Sequence, residues 1–155
     1  MTLLLGGCAM EASKQAAETT AAQMYQARSA KNWEAVLTLY SPEFYRATDR
    51  EQWKNLLLVA HEKLGEYQSR ELRNWQFKSF LGTGGQCITT ELVYQVRFSK
   101  GEATETLTFQ AKGQDTPLKI SGHFIRSPLL VLAPATPAAK PAAAGGGTHE
   151  PGHLP

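Results

Sequence analysis

Two side chains stand where they could do acid–base chemistry, Glu105 and His123. Ala103, Glu105, Leu107 and Phe109 alternate along one segment, which puts Glu105 on the apolar side of a strand. A carboxyl group there has its pKa raised by desolvation unless it is paired, and a raised pKa is what a general base needs. The competing reading places Glu105 near a strand end, solvated or paired with Arg70 or Arg73. His123 lies between Gly122 and Phe124, and simple alternation with Ile120 turns it away from the helices. No Asp or Glu adjoins it to form a dyad. His61 falls in the last turn of a helix, where an imidazolium suits the dipole. His149-Glu150-Pro151-Gly152-His153 has the spacing of a zinc-peptidase helix, but Pro151 and Gly152 oppose the helix that would bring both imidazoles to one face. No Gly-x-Ser-x-Gly turn marks a nucleophile, and Gly82-Thr83-Gly84-Gly85 lacks the Lys of a phosphate loop. No catalytic residue, cofactor or metal site is assigned.

Aromatic side chains are the other candidate equipment. Trp53, Trp75, Tyr94 and Phe109, together with Glu105, form the candidate pocket, in which a cone of helices and sheet closes around an apolar ligand. Core packing is the default role for such residues.

The elements that must position these groups change period part-way along the chain. Ala17, Ala21, Met24 and Tyr25 recur at helical spacing within a helix expected from Glu11 to Ala30. Trp33, Val36, Leu37 and Tyr40 mark a second, short helix that Ser41-Pro42 ends. A third helix over residues 49 to 64 opens on Thr48-Asp49-Arg50-Glu51, which has the capping-box form, and closes at Gly65. From there the period is 2. Strands are expected over 67 to 80, 87 to 98, 102 to 111 and 118 to 126, joined by the turn residues Gly82 to Gly85, Ser99-Lys100-Gly101 and Lys112 to Asp115. The expected fold is α+β, with three N-terminal helices packed on a curved four-stranded antiparallel sheet. Ser127 to Leu132 reads either as a last edge strand or as a cover for the core.

The 155 residues suffice for one domain, at residues 11 to 132. Residues 133 to 155 are rich in Pro, Ala and Gly with Leu154 the one large apolar residue, a composition expected to stay disordered. The net charge is +2, with basic residues scattered among acids, which argues against a nucleic-acid surface. No apolar run approaches the roughly 20 residues that span a bilayer.

Leu5-Gly6-Gly7-Cys8 resembles the lipobox of bacterial lipoproteins, in which the cysteine carries a diacylglyceryl group. Residues 1 to 10 then read as the remnant of a signal. They lack its basic region and its apolar stretch of roughly 7 to 15 residues, so the true start is expected upstream. Lipidation of Cys8 would tether the protein in the bacterial envelope facing the periplasm. Ala9 lacks the aspartate that favours inner-membrane retention, which leans the placement to the outer membrane; a soluble periplasmic protein is the alternative. Cys87 would have no intrachain partner, and no disulfide is expected.

Three further segments carry a fold-level resemblance: Trp53 to Gly65 followed by Arg70 and Leu72, Glu105-Thr106-Leu107, and Gly122-His123-Phe124-Ile125. Over about residues 15 to 126 the chain is similar to bacterial secreted proteins of uncharacterised function within the nuclear-transport-factor-2-like cone group. Pro117-Leu118-Lys119 stands where members carry a Trp, and His123 where they carry an aromatic residue. The resemblance implies a binding scaffold, and by analogy a homodimer through the open sheet face. The expected function is that of a non-enzymatic envelope lipoprotein that binds a partner protein or a small apolar ligand. The alternative is a small acid–base isomerase or cyclase using Glu105.

Overall fold

The computed structural model describes residues 5–112 and 117–131. Among them the chain forms α1 (Leu5–Ser29), α2 (Trp33–Thr38), α3 (Pro42–Ala47) and α4 (Arg50–Leu64). The strands β1 (Tyr67–Gly82), β2 (Gly85–Phe98), β3 (Glu102–Lys112) and β4 (Ile120–Arg126) follow, then a 3-10 turn at Pro128–Leu130. The α+β class and the four-stranded antiparallel sheet, in the order β1-β2-β3-β4, match the sequence reading. The helices do not.

There are four helices rather than three, and the first begins at Leu5 instead of Glu11. The additional helix is α3. Ser41-Pro42 ends α2 and also starts the next helix, because the Ser41 hydroxyl accepts from the Phe44 N–H at 3.2 Å and Pro42 occupies the first turn, where its missing N–H costs nothing. α4 is capped one residue later than the Thr48 pattern suggests. The Asp49 carboxylate accepts from the Gln52 N–H at 2.9 Å, while Thr48 closes α3. The stretch after β4 is a 3-10 turn rather than a strand, and it covers the core only through Leu130, while Leu129 and Val131 are exposed.

Gly65 closes α4 at φ 83°, and a Cβ there would collide with the Ser99 hydroxyl, which itself accepts the Glu66 N–H. A β-carbon would meet both a strained backbone and an occupied space. Gly65→Ala should therefore cost about 1–3 kcal/mol. Urea melts of the two proteins would measure it, and equal midpoints would show that the turn relaxes freely.

Alternation organises the sheet. Thr90, Leu92, Tyr94, Val96 and Phe98 of β2 and Ala103, Glu105, Leu107, Phe109 and Ala111 of β3 are buried on the helix side. Thr104, Thr106 and Thr108 lie on the other face and are partly exposed. The helices contribute Ala17, Ala21, Met24 and Tyr25 from α1 and Trp53, Leu57, Ala60 and Leu64 from α4 to the same core. The segment between α2 and α3 is stitched to β4 by backbone hydrogen bonds from Ser41 N–H to Ile120 C=O (2.8 Å) and from Ile120 N–H to Leu39 C=O (2.9 Å). These bonds bring Tyr40 next to the last strand.

Candidate functional site

Where α1 crosses the sheet, four polar side chains meet in the core. Glu105 is fully enclosed, Arg28 is 3% exposed, and the His123 side chain is fully enclosed. Arg28 Nη1 donates to Glu105 Oε1 at 2.8 Å and Oε2 at 3.0 Å. The Tyr25 hydroxyl donates to Oε2 at 2.9 Å, and His123 Nε2 stands 3.2 Å from the same oxygen. On the far side of the imidazole, Nδ1 is 2.7 Å from the Tyr40 hydroxyl. One tautomer satisfies both bonds: the Tyr40 O–H donates to Nδ1, and Nε2–H donates to Glu105.

The position of His123 corrects the alternation reading. Phe109 pairs with Ile120, but Thr108 pairs with Gly122, so Ser121 is an extra residue in β4. A bulge of one residue reverses the phase of everything after it. His123 and Ile125 turn inward, opposite Leu107 and Glu105, and Phe124 turns outward at 59% exposure.

Glu105 points inward as its alternation requires, but its partner is neither Arg70 nor Arg73. Arg70 lies over the rings of Tyr25 and Tyr94 and bonds the Tyr67 hydroxyl, while Arg73 pairs with Glu71. The partner is Arg28, 77 residues away in sequence. Burial pushes the Glu105 pKa up, but the charge of Arg28 and the bonds from His123 and Arg28 pull harder, and it lies at about 2. Burial would lower the Arg28 pKa, yet the Glu105 charge leaves it raised. The Tyr25 hydroxyl is raised well above its usual value, first by burial and then by the adjacent carboxylate. Both Glu105 oxygens are thus engaged, and a carboxylate near pKa 2 is a poor proton acceptor. The geometry is that of a satisfied structural network.

The five candidate pocket residues do not surround one cavity. Tyr94, Glu105 and Phe109 are core residues, and Trp75 is half-buried on β1 beneath the Lys14 ammonium, 5.5 Å from its ring. Only Trp53 lines a well-formed groove, of about 540 Å³, between α4 and the end of β4. Its walls are Leu56, Val59 and Ala60 from α4, Phe124 and Ile125 from β4, and Leu130 from the 3-10 turn. Lys63 stands among the lining residues.

Besides Asn55, Lys63 and His123, Trp53 brings a polar group to this largely apolar groove. Its ring packs against Tyr40, Phe44 and His123, with centroids 5.7, 5.1 and 5.4 Å away, and the residue is 7% exposed. Its indole N–H makes no hydrogen bond of good geometry among the described residues, although it lies close enough to the Tyr40 hydroxyl to offset part of the rise that burial gives that group's pKa. A buried donor left unpaired costs about 1–3 kcal/mol. Helical spacing groups Leu56 with Trp53, Leu57, Ala60 and Leu64 on one apolar face of α4 and leaves out Val59, but Leu56 and Val59 are each 46% exposed and wall the groove instead. Two consecutive turns of α4 bearing solvent-side apolar residues were the available signal.

His61 approaches Glu66 at 3.6 Å and rests against the Trp33 ring. Cys8 is exposed, Cys87 is partly buried, and both are free thiols. The His149 to His153 motif lies outside the described residues. No protein-family model matches the chain, and a search of curated proteins finds no match.

Proposed function

We propose that this domain is a binding module whose site is the α4–β4 groove, and that its ligand is a small apolar molecule carrying one hydrogen-bond acceptor. The observation that carries this reading is the buried Trp53 N–H, without a hydrogen bond of good geometry, in the wall of a largely apolar groove. The volume suits a small ligand, the lining supplies hydrophobic driving force, and the indole supplies one directional contact. The helices-on-curved-sheet arrangement supports a nuclear-transport-factor-2-like cone as the scaffold. The lipobox-like Leu5 to Cys8 supports an envelope lipoprotein held by lipid on Cys8.

Decanol provides the acceptor and the apolar body, and decane provides the body alone. The protein should bind decanol more tightly than decane, and Trp53→Phe should remove that preference. The same substitution deletes the unsatisfied donor, so the unliganded domain should be as stable as the parent or about 1 kcal/mol more stable. Calorimetric titration and a urea melt test both halves. A Trp53→Phe protein that still prefers decanol would take the indole out of the site.

A further inference from the structure

We infer that the tip of the β1–β2 hairpin is a docking surface for an anionic lipid bilayer. Phe80 and Leu81 sit at its end, 71% and 79% exposed. Phe80 pairs with Cys87, Leu81 with Gln86 and Gly82 with Gly85, whereas the last β2 partner of β3 is Cys87, opposite Lys112. Among the described residues, 81 to 86 thus extend beyond the β2–β3 pairing as a two-stranded ribbon. Their turn, Gly82-Thr83-Gly84-Gly85, is small and uncharged. From Phe77 to Thr90 there is no acidic residue, and Lys78 is exposed on the shoulder of the ribbon. Apolar side chains at an exposed tip with a lysine behind them match the layering of an anionic membrane surface, where headgroups lie outside the acyl boundary.

If Cys8 carries the lipid proposed above, the direction of α1 gives a second reason to place a membrane at this end. Ser13 bonds Thr90 at 2.7 Å, Tyr25 packs on Tyr94, and Arg28 lies over Phe98, so α1 runs alongside β2 in the same direction. Cys8, five residues before Ser13, is about 7 Å further along the helix. The turn at Gly85, five residues before Thr90, is about 16 Å further along the strand. Cys8 and the hairpin tip thus point to the same end of the domain, with the tip reaching further. A lipid on Cys8 would hold the tip against the bilayer, although the inference does not require that lipid.

The test uses the full chain carrying Cys8→Ser, so that no lipid can be attached, sedimented with vesicles. Vesicles containing phosphatidylglycerol should carry the protein down, and phosphatidylcholine vesicles should do so much less. Phe80→Ser with Leu81→Ser should weaken binding about tenfold or more. Lys78→Glu should weaken it about fivefold or more on the anionic vesicles alone. Unchanged melting temperatures would exclude misfolding at these exposed positions. Val59→Asp, which addresses the groove, should leave vesicle binding as it is, so that failure of one site is distinguishable from failure of the other. The inference is overturned if the Cys8→Ser protein ignores anionic vesicles or if the double tip variant binds like its parent. A lipid-independent dimer abolished by the tip substitutions would overturn it too, by assigning the surface to a second copy of the chain.

Discussion

Glu105→Gln is expected to destabilise the domain by about 3–5 kcal/mol, the range for breaking a buried ion pair from one side. The substitution leaves the Arg28 guanidinium 3% exposed with no compensating charge, and the new amide cannot accept from Arg28, Tyr25 and His123 as the carboxylate does. A domain of this size has roughly 5–15 kcal/mol in total, so the loss is a large share of it. Replacing both partners, Arg28→Met with Glu105→Leu, should recover much of that loss, because it is the orphaned charge that is costly. Urea denaturation of the parent, single and double variants measures the pattern. A Glu105→Gln protein within about 0.5 kcal/mol of the parent would show that the guanidinium reaches water.

The same pair gives a pH dependence of defined sign. The folded-state pKa of Glu105 is depressed, to about 2 from an ordinary value of 4.5. Its contribution is therefore fully present above pH 4.5 and is lost as pH falls through that value toward 2. The shift corresponds to about 3 kcal/mol. Glu34 and Glu66 are also depressed, by hydrogen bonds from Lys54 and Arg50 and from Lys31, and Glu43 is depressed by its own backbone N–H, so all three add to the slope. The double variant retains them. The difference in acid dependence between parent and double variant thus isolates the buried pair.

The largest expected effect on binding comes from Val59→Asp. Val59 lies in the groove wall yet is 46% exposed, so the fold should tolerate the carboxylate within about 0.5 kcal/mol. An apolar ligand seated against it would have to desolvate the charge, and decanol affinity should fall about tenfold or more. Leu57→Asp is the contrasting control. Leu57 is fully buried in the core two positions earlier, and there the same change should unfold the domain. Calorimetric titration with decanol reads the first effect and far-UV circular dichroism the second. Equal decanol affinity in parent and Val59→Asp would move the site elsewhere.

Much of this arrangement is legible in local patterns. The alternation of Leu92, Tyr94 and Val96 places a buried face on β2, and Asp49 and Gly65 bracket α4. What escapes depends on interactions that local pattern does not encode. Pro42 reads as the end of a helix because proline breaks helices in their interior, yet in the first turn it starts one. The inward turn of His123 depends on one extra residue, Ser121, that no periodicity announces. The partner of Glu105 lies on α1, and only tertiary packing brings it across. A signal for Arg28 does exist, since it continues the 17, 21, 24 spacing of the buried stripe. A cation on an apolar stripe requires a buried acid, and Glu105 is the acid whose alternation faces it.

The groove and the polar network meet at one place. The Trp53 ring rests on both Tyr40 and His123, so a ligand that engages the indole sits one side chain away from the Glu105 pair. This proximity makes the indole proton the natural reporter. The most direct test is a ¹H–¹⁵N spectrum of the three tryptophan indole groups during titration with decanol. The Trp53 N–H resonance should move downfield as it gains an acceptor, while those of Trp33 and Trp75 stay within the line width. A Trp53 resonance that stays fixed while decanol binds, or saturation with no change in any indole, would contradict the assignment of the groove as the binding site.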